Sequence, residues 1–181
     1  MRDIVQEQLQ AWSYRSERRK TATRLCASKI VYALYAGVAV LAIRRRDHLS
    51  AAVLLRPTMA VLLAKLSAKA LQRMVIRPRP FVLTGVPPLL EVEPDNGFPS
   101  DHALQVGSLL LGAWMLEPRA APLCVFGGVL TLAARLGAGV HHTLDVLGGL
   151  GLVAAPAATI YTLPLPAWNG ASREQLSPRR R

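Results

Sequence analysis

Three short stretches of the chain carry residues suited to acid–base and anion chemistry. Residues 99–102 read Pro-Ser-Asp-His and stand directly against an apolar run, residues 77–80 read Arg-Pro-Arg-Pro, and residues 134–149 read "ARLGAGVHHTLDVLGG". In the last of these Arg135 precedes His141 by six positions and His141 precedes Asp145 by four. If a helix begins near His141, that spacing puts His141 and Asp145 on one face, where the carboxylate fixes the imidazole's tautomer and raises its basicity. A histidine nucleophile is prepared in this way, although a purely structural hydrogen-bonded pair has the same spacing. Two histidines and an aspartate also raise metal binding as a competing chemistry. The neighbouring arginines would repel a divalent cation and suit phosphate oxygens, so no metal site is expected.

The elements that must position these groups are apolar. The chain has 181 residues, 51% of them hydrophobic, with a net charge of +11, so apolar and basic parts must be segregated within one domain's worth of material. Apolar segments run over residues 26–43, 49–76, 102–116, 121–136 and 143–163, against the roughly 20 residues that a transmembrane helix needs. The reading is an all-α integral membrane bundle of about five transmembrane helices. Gly and Ala recur in 127–139 and 147–158, where small residues let membrane helices approach closely. Residues 77–99, rich in proline and turn formers, read as an ordered loop. Residues 1–25 read as a basic cytosolic or interfacial helix without the apolar core of a signal peptide, residues 26–166 as the membrane domain, and 167–181 as a disordered basic tail. Cys26 and Cys124 each lie in an apolar run and suggest neither a disulfide framework nor a thiolate metal site.

The second segment interrupts its own hydropathy with Arg56, Lys65, Lys69 and Arg73. Lys65, Lys69 and Arg73 are spaced by four and share a helical face. Lys65 reads as a snorkelling side chain. Lys69 and Arg73 lead straight into Arg77 and Arg79 and extend a basic face suited to an anion. Arg56 has no assigned role, and Pro57 is placed to kink the helix. The first block ends the second segment, the second opens the third, and the last closes the fourth and opens the fifth. All three therefore emerge on one membrane face and form a site.

At these residues the chain resembles the type 2 phosphatidic acid phosphatase and haloperoxidase superfamily, whose motifs are Lys-(six)-Arg-Pro, Pro-Ser-Gly-His and Ser-Arg-(five)-His-(three)-Asp. The third motif is matched in every spacing, with Ala134 in place of Ser; the second has Asp101 in place of Gly; the first is matched at Arg79-Pro80 but has Gln72 where Lys stands in the family. Phe98 before the second motif and the Arg-Pro-Arg-Pro-Phe run resemble the bacterial branch that dephosphorylates undecaprenyl pyrophosphate. The resemblance implies that His141 attacks phosphorus and becomes a phosphohistidine, that Asp145 orients it, and that His102 protonates the departing oxygen and then activates water. It also implies that Arg79, Arg135 and Ser100, with backbone N–H groups at Asp101, hold the phosphoryl oxygens. Lys69, Arg73 or Arg77 would supply the charge missing at Gln72, and no cofactor is required. Ser100 and Asp101 also suit simple N-capping, and His142 reads as packing or interfacial.

The implied partners are a lipid phosphate or pyrophosphate and the membrane, with no nucleic acid. Within the class, phosphatidate, phosphatidylglycerol phosphate and prenyl-phosphosugars are alternative substrates. A non-catalytic protein binding anionic lipid is the alternative outside it, but such a protein needs no His102, His141 and Asp145 in register. With five crossings the N-terminus lies on the side of the site. Residues 1–25 carry six Lys and Arg; the opposite side carries Arg44, Arg45, Arg46, Arg119, Arg173, Arg179, Arg180 and Arg181. The positive-inside rule and the family resemblance place the site on the extracytoplasmic face of a bacterial plasma membrane.

Overall fold

The computed structural model describes residues 2–48 and 51–162. Its regular elements are helices: α1 (Ile4–Tyr14), α2 (Glu17–Ser28), α3 (Ile30–Arg44), α4 (Ala51–Met74), α5 (Pro80–Thr84), α6 (Asp101–Leu116), α7 (Ala121–Gly137) and α8 (Thr143–Thr162). Strand-like pairing among the described residues is limited to one isolated bridge between Pro78 and Asn96. The all-α reading holds. Three stretches, Glu17–Arg44, Pro118–Gly137 and Thr143–Thr162, are long and apolar enough to cross a membrane. The other two expected crossings fall on α4, which carries Arg56, Lys65, Lys69 and Arg73, and on α6, which has only 16 residues. Both nevertheless pack lengthwise against α8.

The first expected span begins earlier than hydropathy indicated. The expected boundary after residue 25 falls inside α2, which runs on into α3 with only Lys29 between them. Its first residues, Glu17 and Arg18, are exposed, its later part packs against α7 and donates from Arg24 Nε to the Leu89 carbonyl, and α3 continues beside α6 and the earlier part of α7. The expected tail over 167–181 lies outside the described residues.

Packing relies on small residues. Ala60, Ala64 and Ala68 form the buried stripe of α4, and Ala64 and Ala68 cluster with Leu104 of α6 and Val153 of α8. A Cβ on Gly128 would stand 2.5 Å from Val106 Cγ1, and one on Gly149 would stand 2.6 Å from the Ser100 carbonyl oxygen and 2.7 Å from Ala103 Cβ. The large apolar side chains Leu62, Leu66, Trp114, Leu123, Phe126 and Val129 are exposed instead. Outward apolar bulk with small residues at the helix contacts suits a lipid surround.

All the helix ends that matter for chemistry meet at one end of the bundle. There the last turns of α4 and α7, the first turns of α6 and α8, and α1 converge. At the opposite end Arg45 pairs with Glu117. Asp3 bonds directly to Thr143, so residues 1–25 and the site share a side. A cytosolic N-terminal segment would put the site in the cytosol as well, and the interfacial reading is the one compatible with an extracytoplasmic site.

Gly149 has no room for a methyl group because the obstacle is backbone. Gly149→Ala should therefore destabilise the α6–α8 crossing by about 1–3 kcal/mol, the usual cost of overpacking. The control is Gly151→Ala, since a Cβ there meets nothing within 4 Å. Thermal unfolding in detergent should show a lowered midpoint for the first variant and a wild-type midpoint for the second; equal midpoints would contradict the packing.

Candidate active site

The turn between α7 and α8 carries His141. α7 ends at Gly137, and Gly139 adopts φ +75°, a left-handed conformation that glycine takes without steric cost. The chain then reverses, so that Val140 and His141 turn inward: His141 is 3% exposed. Arg135, in the last turn of α7, reaches the imidazole with Nη2 at 3.3 Å from His141 Nε2. A guanidinium only donates, so Nε2 must be the accepting nitrogen and carry no proton. The ring proton then sits on Nδ1, which donates to the Gly97 carbonyl at 3.1 Å. Nε2 keeps the lone pair that a nucleophile needs.

Asp145 was expected to orient His141, and its carboxylate does lie beside the ring, with Oδ2 at 3.8 Å from Nδ1. That distance is a charge contact rather than a hydrogen bond. Asp145 Oδ2 accepts from the backbone N–H of His142 at 2.7 Å, the reach-back of a capping box, in which a carboxylate in the first turn satisfies the N-cap amide. Its main-chain oxygen accepts from Ser100 N–H at 3.0 Å. Arg77, expected on the phosphate, places Nε 3.7 Å from Asp145 Oδ1 and balances this fully buried carboxylate.

Ser100 is the N-cap of α6 and is completely buried, yet its hydroxyl caps nothing: Oγ has no hydrogen-bond partner. Arg135 Nε is likewise buried and unpartnered. Buried polar atoms normally have partners, so the Ser100 hydroxyl and Arg135 Nε, together with Asp145 Oδ1, which is also buried and without a hydrogen bond, are candidates for contact with a bound group. His102, half-buried in the first turn of α6, lies close enough to Arg135, His141 and Arg79 for their charges to act on it. Asp101 beside it is exposed. Arg79 is held by Asp95 Oδ1 through Nε at 2.8 Å and Nη2 at 2.7 Å, and donates from Nη1 to the Val140 carbonyl at 3.0 Å. Each of its Nη atoms still has a second proton to offer an oxyanion.

Lys69 and Arg73 stand apart from this cluster. They are exposed on α4, one position round from the buried stripe of Ala60, Ala64 and Ala68, and neither has a side-chain bond to another described residue. Gln72 continues the stripe, half-buried. The Lys65 and Arg56 side chains are also on α4, where Arg56 lies over the Tyr161 ring at 5.7 Å. His142 has its Nδ1 3.6 Å from Asp3.

Two contributors were not anticipated. Asn96 donates from Nδ2 to the carbonyls of Gln72 and Val75, and its Oδ1 accepts from Arg77 N and Phe98 N. One side chain thus ties off the end of α4 and sets the Gly97 carbonyl that holds His141. A Cβ on Gly97 would come 3.2 Å from Asp145 Oδ2 and 3.3 Å from both Arg77 O and Arg79 Cγ, which fits glycine at this crowded point. Asn-Gly is a turn signal visible in the sequence; nothing in it names the imidazole as the carbonyl's partner.

Burial pushes the His141 imidazole below its ordinary 6.5; Asp145 pulls it back up, while Arg135 and Arg79 lower it further. The ring is therefore neutral at pH 7. In Asp145→Asn the pKa should fall further, because the group that favours the charged ring is gone, and in Arg135→Gln it should rise. Imidazole NMR titration reads both, and a pKa of 6.5 or above in the unaltered chain would contradict the burial argument.

Comparison with known proteins agrees with this geometry. A family profile for the PAP2 superfamily matches residues 51–168, which include Arg79, Ser100, His102, Arg135, His141 and Asp145. Over 76 residues the chain is 41% identical to Undecaprenyl-diphosphatase BcrC of Bacillus subtilis (strain 168), a stretch covering 40% of this chain and 38% of that protein. No solved structure matches the chain. With well over half of its residues inside the family profile, the chain belongs to the PAP2 superfamily.

Proposed function

We propose that the chain is a lipid phosphatase that hydrolyses undecaprenyl pyrophosphate to undecaprenyl phosphate at the membrane surface, through a phosphohistidine on His141. One observation carries the reading: His141 Nε2 lies 3.3 Å from an Arg135 nitrogen that can only donate, while Nδ1 lies 3.1 Å from the Gly97 carbonyl, which leaves Nε2 as the accepting nitrogen. An acceptor nitrogen among donors suits a tetrahedral phosphoryl group whose oxygens take the donors while phosphorus meets the lone pair. The substrate assignment is supported by the likeness to Undecaprenyl-diphosphatase BcrC.

In the proposed cycle Nε2 attacks the terminal phosphorus in line, displacing the Arg135 hydrogen bond onto a phosphoryl oxygen. The N–P bond forms as the bridging P–O bond breaks, and His102, entering the step as the imidazolium paired with the substrate's negative charge, gives its proton to the departing lipid phosphate. His102 then takes a proton from water, whose oxygen attacks phosphorus and breaks the N–P bond, releasing inorganic phosphate. Ser100, Arg135 and Arg79 hold the equatorial oxygens, where charge is spread in the transition state. Asp145 and Arg77 act behind His141. Arg44, Arg45, Arg46 and Arg119 at the opposite end support a cytoplasmic position for that end and an extracytoplasmic site.

Among the described residues no group of three or more His, Cys, Asp or Glu side chains is placed to hold a metal ion, and the proposal uses none. Phosphate release from lipid pyrophosphate should survive excess EDTA, and vanadate, which adopts a five-coordinate geometry, should inhibit it. Loss on chelation that zinc or magnesium restores would exclude the mechanism. A panel containing phosphatidate, phosphatidylglycerol phosphate and prenyl-phosphosugars tests the substrate.

The two histidines separate with a substrate whose leaving group needs no proton. With p-nitrophenyl phosphate, His102→Ala should still phosphorylate His141 and then stall, while His141→Ala should form no phosphoenzyme and lose several tenfold factors in kcat, at about 1.4 kcal/mol of barrier each. Acid-labile phosphate trapped on Ser100 or His102 would reassign the roles.

A further inference from the structure

α1 lies outside the family match, yet it reaches the turn that carries His141. Asp3 is the N-cap of α1, its Oδ1 accepting from Gln6 N–H at 3.2 Å. The same carboxylate accepts two bonds from α8: Thr143 N–H on Oδ2 and the Thr143 hydroxyl on Oδ1, both at 2.7 Å. One aspartate thus serves two helix N-termini that are 140 residues apart in sequence.

The need for it is local to α8. His142 occupies the position before the first helical residue, and histidine is not among the good capping side chains. Asp145 reaches back to the His142 amide, which leaves the Thr143 amide, the next free donor, to be satisfied from elsewhere. Asp3 satisfies it. Two carboxylates therefore grip the amides of the two residues that follow His141. Burial pushes the Asp3 carboxyl up, but the bonds from Thr143 and Gln6 outweigh it and leave the group below its ordinary 3.8, so it is ionised and its bonds to Thr143 are charge-assisted.

α1 is seated for this contact. Gly137 and Gly139 form a track beneath it: a Cβ on Gly137 would collide with Ser13 Oγ, and one on Gly139 would come 2.6 Å from Gln10 Nε2. At its far end Tyr14 donates from its hydroxyl to the Pro87 carbonyl at 2.5 Å. The helix is thus held at both ends against loops of the site.

We infer that Asp3 is a positioning residue for His141, capping α8 from α1 so that the 141–143 turn keeps Nε2 aimed at the phosphoryl site. The inference rests on the phosphatase reading, and makes a segment outside residues 51–168 part of the working enzyme.

The test compares Asp3→Asn, Thr143→Val, their double variant and Thr143→Ser in the full chain, assayed on undecaprenyl pyrophosphate, with amide hydrogen exchange at Thr143 read in the same proteins. Asparagine caps helices as well as aspartate, so α1 survives in Asp3→Asn; the charge and one of the two Thr143 acceptors are lost. Asp3→Asn and Thr143→Val should each lower kcat on the order of tenfold, as loss of a charge-assisted hydrogen bond implies, with KM and the thermal midpoint unchanged. The double variant should lose less than the product of the two single losses, because the two bonds to Thr143 share one carboxylate and are coupled. Thr143→Ser, which keeps the hydroxyl, should recover most of what Thr143→Val loses. The Thr143 amide should exchange faster in Asp3→Asn. Unchanged exchange there would overturn the clasp itself. Faster exchange with wild-type kcat, a loss tracking the thermal midpoint, or losses that multiply in the double variant would overturn the positioning role. Should the unaltered chain release phosphate from no lipid, the phosphatase reading and the positioning role fall together, while the exchange measurement still decides whether Asp3 caps α8.

Discussion

The hydrogen bond from His141 Nδ1 to the Gly97 carbonyl is the contact on which the site depends. It fixes which ring nitrogen is bare. Everything that reaches Gly97 serves that outcome: Asn96 ties the carbonyl to the end of α4, Arg77 O accepts the Gly97 amide at 2.8 Å, and Asp145 and the Arg79 stem leave no space for a side chain. On the other side Arg135 donates to Nε2. In the proposed reaction a phosphoryl oxygen, a stronger acceptor than a neutral imidazole, takes over that guanidinium and frees the lone pair.

Asp145 shows why a carboxylate can be fully buried here. It has several neighbours rather than one. The His142 amide bonds to it, Arg77 offsets its charge, and His141 lies within 3.8 Å. An uncompensated buried charge would cost several kcal/mol, so the ion pair with Arg77 is a condition for having Asp145 at all. That accounts for the position of Arg77 beside Asp145.

Much of this was legible because it was local or periodic. Apolar runs marked α3, α7 and α8, and the i, i+4 spacing placed Asp145 beside His141. Alternation of helix ends put the three motifs at one end of the bundle. Contacts made across long separations were not legible. Asp3 and Thr143, Asp95 and Arg79, and Gly97 and His141 meet only because the helices stack as they do, and no pattern in the chain links the partners. Residues 1–25 read as a helix from their composition, but that α2 carries the polar stretch on into the first apolar run had no signal in hydropathy, which changes sign within the helix. Lys69 and Arg73 show what spacing alone leaves open. Their spacing made a face, but the buried stripe of α4 is one position away, at Ala60, Ala64 and Ala68. Gln72, which replaces the family's Lys, is the residue that follows that stripe.

A helical membrane protein can satisfy its backbone cheaply only inside its helices. Chemistry needs side chains held in fixed directions, and those are easiest to arrange where chains leave their helices and backbone groups want partners. At this end of the bundle the two requirements are met by the same atoms. Asn96 terminates α4 and sets Gly97; Asp145 caps α8 and flanks His141; Arg79 holds the Val140 carbonyl and keeps protons free for an anion. Ser100 is the exception. Its hydroxyl is buried and bonds to nothing in the protein. It caps α6 by position only, and in the proposed reaction it is one of the groups that hold the phosphoryl oxygens.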